Sequence, residues 1–520
     1  MKKYISLIIL IISLASCKKQ LATAPTDTLA PETYYNTEDD LNKALTGVYN
    51  SVANNNIYGL FFAYWHHYNA DDLYAVAGAT GNAINAQNST DANYQAFWQA
   101  CYQGIYRANV LLENLNKPTM DETKRNAIKG ETLFLRGYFY YLLATHYGGV
   151  PMPLKSGFDI DNPGLPRSTL KEVYTQILAD MTAAEPLVYK ISAFTTNGRV
   201  TQTAVQGILA RVSLSMAGFP LNETARYNDA LQWATKVYTS GLHALNPDYT
   251  KVFINLMQDV YDTKENLWEI EFEVKSAPTA YAGGGRWGNV VGLVSNDNSI
   301  GITTNFSACT GKLFFSYASD TNDVRMNWNC ANFTYTSASS GATKVPLLYT
   351  QNQYNRQIGK FRREYELTVP KQKNLTPCNF PTIRYSDVLL MLAEAENEVN
   401  GPTPLALTCL NLVRTRAKAT NFSYSGTGNF VITSKAAFRS TIQDERLREL
   451  CYETQRRLDL IRWGIYIPTM KALSLDFATN APTNTTGRLA GDNTSERNYY
   501  YPIPQYELGL NPLLTQNPGF

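Results

Sequence analysis

The sequence predicts a mainly α-helical fold with a loop-rich insert that carries short β-strands. Three observations point there. Apolar residues recur at helical spacing through 38–150, 201–240 and 383–463. Between the last two, residues 245–380 lose that period, and Gly, Asn, Ser and Thr dominate much of the segment. Inside the insert, Leu267-Trp268-Glu269-Ile270-Glu271-Phe272-Glu273-Val274 alternates strictly, as a strand does.

The elements follow in chain order. Lys2 and Lys3 precede an apolar stretch, Tyr4 to Leu14, too short to span a bilayer. It ends in Leu14-Ala15-Ser16-Cys17, which resembles a bacterial lipoprotein signal. The expectation is cleavage before Cys17 and diacylation of its thiol, two chains anchoring where one holds only marginally. Residues 1–16 are then a signal peptide, and polar, Pro-containing 17–32 is a tether. The segment 33–244 is helical. Phe97, Cys101, Ile105, Ala108 and Leu112 mark one stripe, and Ile128, Leu135, Tyr138, Leu142 and Thr145 another, stopped by Gly148-Gly149. Residues 201–217 and 225–240 form a hairpin, with small Ala204, Gly207 and Ala210 facing Tyr227, Leu231 and Ala234. That pairing resembles tetratricopeptide packing. After the insert, 381–464 repeats the hairpin idea and ends in one long helix over 436–463. Tyr501-Pro502-Ile503-Pro504 must run extended, so 465–520 reads as a closing strap.

Composition narrows the function. Charged residues are 17% of 520, against a usual quarter, and the net charge is +2, so no nucleic-acid footprint exists. The chain holds 35 Tyr and only 4 His. Tyr- and Asn-rich, charge-poor surfaces suit neutral, hydroxyl-rich ligands or an extracellular setting. Six cysteines besides Cys17 show no C-x-x-C spacing, which argues against zinc and redox motifs. Whether Cys309, Cys330 or Cys378 form a disulfide stays open; a Cys309–Cys330 bridge is the one pairing the sequence singles out, against free thiols.

Enzyme motifs are poor. Gly283-Gly284-Gly285-Arg286-Trp287-Gly288 fits G-x-G-x-x-G without a βαβ context. Asp39-Asp40 and Asp71-Asp72 are adjacent carboxylates, which diverge on a helix rather than face one bond; Asp39 reads better as a helix cap. His66-His67 has no third ligand at helical spacing. No catalytic residue, metal site or cofactor is expected.

Six segments point one way: TYYNTEDDLNKALTGVYNSV (33–52), GETLFLRGYFYYLLATHYGGVPMPL (130–154), PTIRYSDVLLMLAEAENEVNG (381–401), LNLVRTRAKA (410–419), DERLRELCYETQRRLDLIRWG (444–464) and YPIPQYELGLNPLLTQNPGF (501–520). With the lipoprotein cysteine, they resemble the SusD/RagB family of outer-membrane nutrient-uptake lipoproteins. The resemblance implies about four tetratricopeptide-like helix pairs in a superhelix, with a loop-rich binding part against it. It implies a non-enzymatic protein that sits on a SusC-like TonB-dependent β-barrel transporter. It also implies an oligosaccharide ligand, or a peptide in some members, and an outward-facing, lipid-anchored position on the outer membrane. A tetratricopeptide-type interaction scaffold without small ligand is the alternative from the residues alone.

Candidate ligand residues follow from which aromatics the frame can spare. Trp98, Trp233, Trp268 and Trp463 fall on apolar patterns, and Trp328 reads as core as well. Trp287 lies instead in a Gly-rich loop beside Arg286 and Asn289, with Tyr281 upstream. An exposed indole stacks on a sugar face, with guanidinium and amide partners for the hydroxyls. The family resemblance adds Tyr68, Asp72, Tyr74 and Asn88, in or before the loop 76–93.

Overall fold

The computed structural model describes residues 34–65, 68, 70–76, 80–157, 164–274 and 283–520. Cys17, the tether, His66 and His67 lie outside the described residues.

Helix α1 (Glu38–Val52) opens the frame. Its cap is Thr37, not Asp39. The Asp40 amide donates to the Thr37 hydroxyl at 3.1 Å, and the Thr37 amide donates to the Asp40 carboxylate at 3.0 Å. Asp39 instead pairs with exposed Lys43 at 2.6 Å, an arrangement of small stabilising value. A π turn (Asn55–Gly59) and α2 (Phe61–Tyr64) then carry Tyr58, Phe61 and Phe62 into the core. Strand β1 (Leu73–Ala75) follows. Helices α3 (Ala92–Asn114) and α4 (Glu122–Tyr147) are capped by the Asp91 and Asp121 carboxylates. From Gly130 to Ala144 every residue of α4 is buried, as befits a helix packed on all sides. Gly104 lets α3 and α4 approach closely: a Cβ there would stand 2.3 Å from the Phe139 ring.

Helices α5 (Leu170–Ala184), α6 (Gln202–Ala217) and α7 (Arg226–Thr239) extend the row, α5 on α4 and α7 on α6. Of the expected small-residue face, Ala204, Ala210, Ala230 and Ala234 are buried, whereas Gly207 turns toward Ile383, and Tyr227 and Leu231 stay half-buried. The chain then leaves the row for the insert. There lie α8 (Tyr249–Gln258), β2 (Asn266–Ile270), β3 (Ser307–Cys309), α9 (Gly311–Ser316), α10 (Arg325–Asn329), β4 (Phe333–Tyr335), β5 (Lys344–Pro346) and β6 (Phe380–Arg384). The strands make three antiparallel pairs, β1 with β3, β2 with β6 and β4 with β5. The alternating segment yields a strand shorter than expected, ending at Ile270. All five of its residues are buried, because helices cover both faces. Trp268 packs edge-on against Phe134 and Tyr138, and a Cβ on Gly207 would meet Ile383 at 2.6 Å.

Helix α11 (Tyr385–Asn400) returns to the row and packs directly on α7, so the insert is spliced between two neighbours. Helix α12 (Pro404–Arg416) pairs with it. The fold is thus the mainly helical, tetratricopeptide-like row with a loop-rich insert that the sequence predicts.

Two expectations need correction. The single helix over 436–463 is α13 (Lys435–Leu450) and α14 (Arg456–Arg462), parted by a turn in which Tyr452 and Thr454 adopt positive φ. The turn presents the Tyr452 amide to the Asp72 carboxylate at 2.9 Å and Glu453 to Lys360 and Arg384. The segment 465–520 is not mainly an extended strap. It contains α15 (Tyr466–Asn480), α16 (Thr485–Asn493) and α17 (Gln505–Leu510). The 501–504 stretch stays outside the helices, as expected, and there the Tyr501 amide donates to the His146 carbonyl at 2.6 Å. The six cysteines from Cys101 to Cys451 are buried free thiols. Burial, then the neighbouring Cys309 thiol, pushes the Cys330 thiol up.

A buried network of charges joins insert to frame. Arg384, at the end of β6, donates to both Glu453 oxygens at 2.8 Å, to Glu265 at 2.9 Å and to Glu449 at 3.0 Å. Arg325 reaches Asp323, Glu445 and Glu449 at 2.6, 2.7 and 3.1 Å. Arg414 bridges Glu445 and Asp320, Arg416 binds Glu449, and Lys360 binds Glu453. A second chain runs Arg211–Asp387–Arg446–Asp459–Arg462 at 2.5–2.8 Å. Burial alone would raise these carboxyls; Arg325 and Arg414 hold Glu445 at about 2, and Arg446 and Arg211 hold Asp387 at about 2.

Removing one member strands the rest, at a cost of about 3–5 kcal/mol. Glu449→Gln should therefore lower Tm steeply at pH 7. Carboxyls depressed in the folded state lend stability that is whole above their unfolded values near 4. It is lost as pH falls through about 2. Wild-type denaturant melts should show stability declining between about pH 4 and 2, with a shallower slope in Glu449→Gln. Equal slopes would contradict the assignment.

Candidate ligand-binding cavity

An open cavity of about 900 Å³ lies where β1, the loop after β5 and the end of α15 meet. Tyr74, on β1, forms its inner wall. Its hydroxyl donates to the Tyr354 carbonyl at 2.8 Å and accepts from the Asn484 amide. Tyr354 donates in turn to the Asp476 carboxylate at 2.8 Å, and Asn480, one turn along α15, donates to the same oxygen at 2.8 Å. Phe477 backs both phenols, its ring 4.9 Å from that of Tyr74 and 5.8 Å from that of Tyr354. Phe315, 39% exposed, stands edge-on to Tyr354 at 5.8 Å. Asn352, Gln353 and Asn355 complete the rim.

The loop holds its shape through buried Arg356. Its guanidinium donates to the Gln351 carbonyl at 3.0 Å, the Ala331 carbonyl at 3.1 Å and the Leu348 carbonyl. Asn352 takes the left-handed conformation at the tip, which Asn tolerates. Gly311 leaves room for Tyr354, since a Cβ there would lie 2.2 Å from the ring. Burial pushes the Tyr74 phenol up to about 12, with the Asn484 amide opposing. Burial and then Asp476 push Tyr354 up to about 12. Both stay protonated at ordinary pH and serve as donors. The cavity therefore offers amides, phenols, one carboxylate and a half-exposed ring. Such a set is chemically suited to hydroxyls and an apolar sugar face.

Of the expected ligand residues that are described, Tyr74 alone lines this cavity. Trp287 is core, fully buried: its indole N–H donates to the Tyr58 carbonyl at 2.9 Å, and it stacks on Phe380 at 4.3 Å. Its Gly-rich loop folds inward because a Cβ at Gly288 would strike Met257 and one at Gly292 the Phe361 carbonyl. Asn289 is buried and donates to the Ile302 and Lys373 carbonyls, while Arg286 donates to Asn289 at 2.8 Å. These two brace the loop. Tyr281 lies outside the described residues. Tyr68 is buried against Tyr64. Asp72 is buried too; burial pushes its carboxyl up to about 6, the Tyr452 amide pulling the other way. Asn88 is exposed and closes a turn onto Thr90.

The sequence reading missed Phe315, Tyr354, Asp476 and the amides around them. A signal existed: Gln351-Asn352-Gln353-Tyr354-Asn355 packs amides about an aromatic, and Asn480 and Asn484 flank a Pro-containing turn. Trp287→Ala should cost about 3–5 kcal/mol of stability and lower Tm, as large core truncations do. An unchanged melt would put the indole back at the surface.

Comparison with known proteins places this geometry in context. Residues 299–520 match the profile of the SusD family, and residues 21–214 match one described as starch-binding associating with outer membrane. SusD-like protein P25 of Formosa agariphila is 26% identical over 98% of this chain and 97% of its own length. The crystal structure of a SusD homolog from Bacteroides thetaiotaomicron superposes with a TM-score of 0.85. It is 25% identical and spans 94% of this chain and 98% of that one. A laminarin-binding SusD-like protein shares the fold at a TM-score of 0.69 and 21% identity, over 94% of this chain and all of that one. Surface glycan-binding protein A from Bacteroides fluxus does so at 0.70 and 20%, over 93% of this chain and all of that one. With matched profiles over both halves and end-to-end relatives, the chain belongs to the SusD/RagB family.

Proposed function

We propose that this protein captures an oligosaccharide at the cell surface and passes it to a SusC-like TonB-dependent transporter in the outer membrane. The observation that carries the reading is the Tyr74–Tyr354–Asp476 cavity. Hydroxyl-rich ligands need many fixed donors and acceptors and one apolar platform, and its lining supplies both. The names of its fold relatives support it: one is a laminarin-binding SusD-like protein, another a surface glycan-binding protein. The signal-like Leu14-Ala15-Ser16-Cys17 and the matched profile associated with the outer membrane support an acylated Cys17 as the anchor.

The test is calorimetric titration with a panel of oligosaccharides and peptides. Binding of a glycan that falls about ten- to a hundredfold in Phe315→Ala supports the reading. Tm should hardly move, since the ring is partly exposed. Binding of peptides alone moves the ligand class to peptides, and silence toward all leaves an interaction scaffold. Cys17→Ala should remove the protein from the outer-membrane fraction; a normally acylated and fractionating variant would contradict the anchor.

A further inference from the structure

We infer that the cavity discriminates against anionic glycans, and that Asp476 is the residue that sets this specificity. The inference rests on the cavity being the glycan site. Among the described residues, five amides and two phenols line it, with a single charged side chain, Asp476, and no Lys or Arg. Both bonds to that carboxylate, from Tyr354 and Asn480, fall on Oδ1. Among the described residues, no protein donor engages Oδ2 and no cation pairs with it. An adjoining cavity of about 500 Å³ shares Asp476 and Phe315 with the first, so the carboxylate stands where the two meet. The cation lining that second cavity is Lys312, while its other acid, Asp71, is held by Arg456 at 2.6 Å.

A neutral sugar brings hydroxyl donors to Oδ2, and charge-assisted bonds of that kind are the stronger ones. A uronate or sulfate in the first cavity brings a second negative charge to a wall whose described lining includes no cation, Lys312 lining only the adjoining one. In a partly desolvated cavity that repulsion exceeds its value in water, and salt weakens it.

Neutral gluco-, galacto- and manno-oligosaccharides, each paired with its C6-oxidised carboxylate form, provide the probes. Each pair is titrated into wild type and Asp476→Asn at low and high salt. Asn keeps an Oδ1 for Tyr354 and Asn480, so the variant should melt like wild type. The wild-type protein should prefer a neutral form about tenfold over its oxidised partner at low salt, and less at high salt. In Asp476→Asn the ratio should shrink to about two- or threefold, whatever happens to neutral affinity itself. Equal wild-type affinity for the two forms overturns the inference, as does a ratio unchanged in Asp476→Asn. Wild-type silence toward every neutral form sinks the glycan reading itself, and this inference with it.

Discussion

Glu445 and Glu449 on α13, and Glu453 in the turn beyond it, hold the molecule together, because cations from four other segments converge on them. Arg325 comes from α10, Lys360 from the loop after β5, Arg384 from β6, and Arg414 and Arg416 from α12. Each cation is buried, so it has no alternative partner in water. Apolar contacts would tolerate small shifts among these segments. Fully desolvated, bidentate ion pairs do not, since a misplaced guanidinium leaves charge unpaired in a low-dielectric interior. The network therefore acts more on register than on net stability. It fixes where a loop-rich insert sits on a helical row.

That register reaches the cavity through covalent continuity. The turn after α13 exists because Glu453 must meet Lys360 and Arg384. The same turn sends the Tyr452 amide to Asp72, and α14 sends Arg456 to Asp71 in a bidentate pair. Asp71 and Asp72 immediately precede β1, which carries Tyr74. Lys360 and Arg356 bracket the other end of the linkage and steady the loop of Tyr354. The two phenols that line the cavity are thus held from behind by buried charges outside its lining. Asp72, expected from the sequence to bind ligand, belongs to this support instead.

Much of the fold was legible because it is local. Helical periods, Gly148-Gly149 as a stop and the small-residue face around Ala210 depend on neighbours within one turn or one hairpin. The broken helix at Cys451–Gln455 was not legible, because its apolar stripe continues across the break. What interrupts it is a set of partners 69 to 380 residues away. Trp287 misled for the same reason. It lacks periodic apolar neighbours in sequence, and its neighbours Phe361, Phe380 and Tyr58 arrive from elsewhere. The cavity fared worst. Its walls come from residues near 74, 315, 354 and 480, and no window of sequence contains more than one of them. Only Tyr74, through the family resemblance, was reachable.

The charged network makes insert and frame one cooperative unit that presents the cavity. Native-state hydrogen exchange across a denaturant series tests it most directly, because it resolves the free energy of opening segment by segment. One common opening free energy is expected for α10, the 348–360 loop, β6, α12 and α13. If 307–360 opened at distinctly lower free energy than α11 to α13, the insert would be an independent module that the charged network does not bind to the frame.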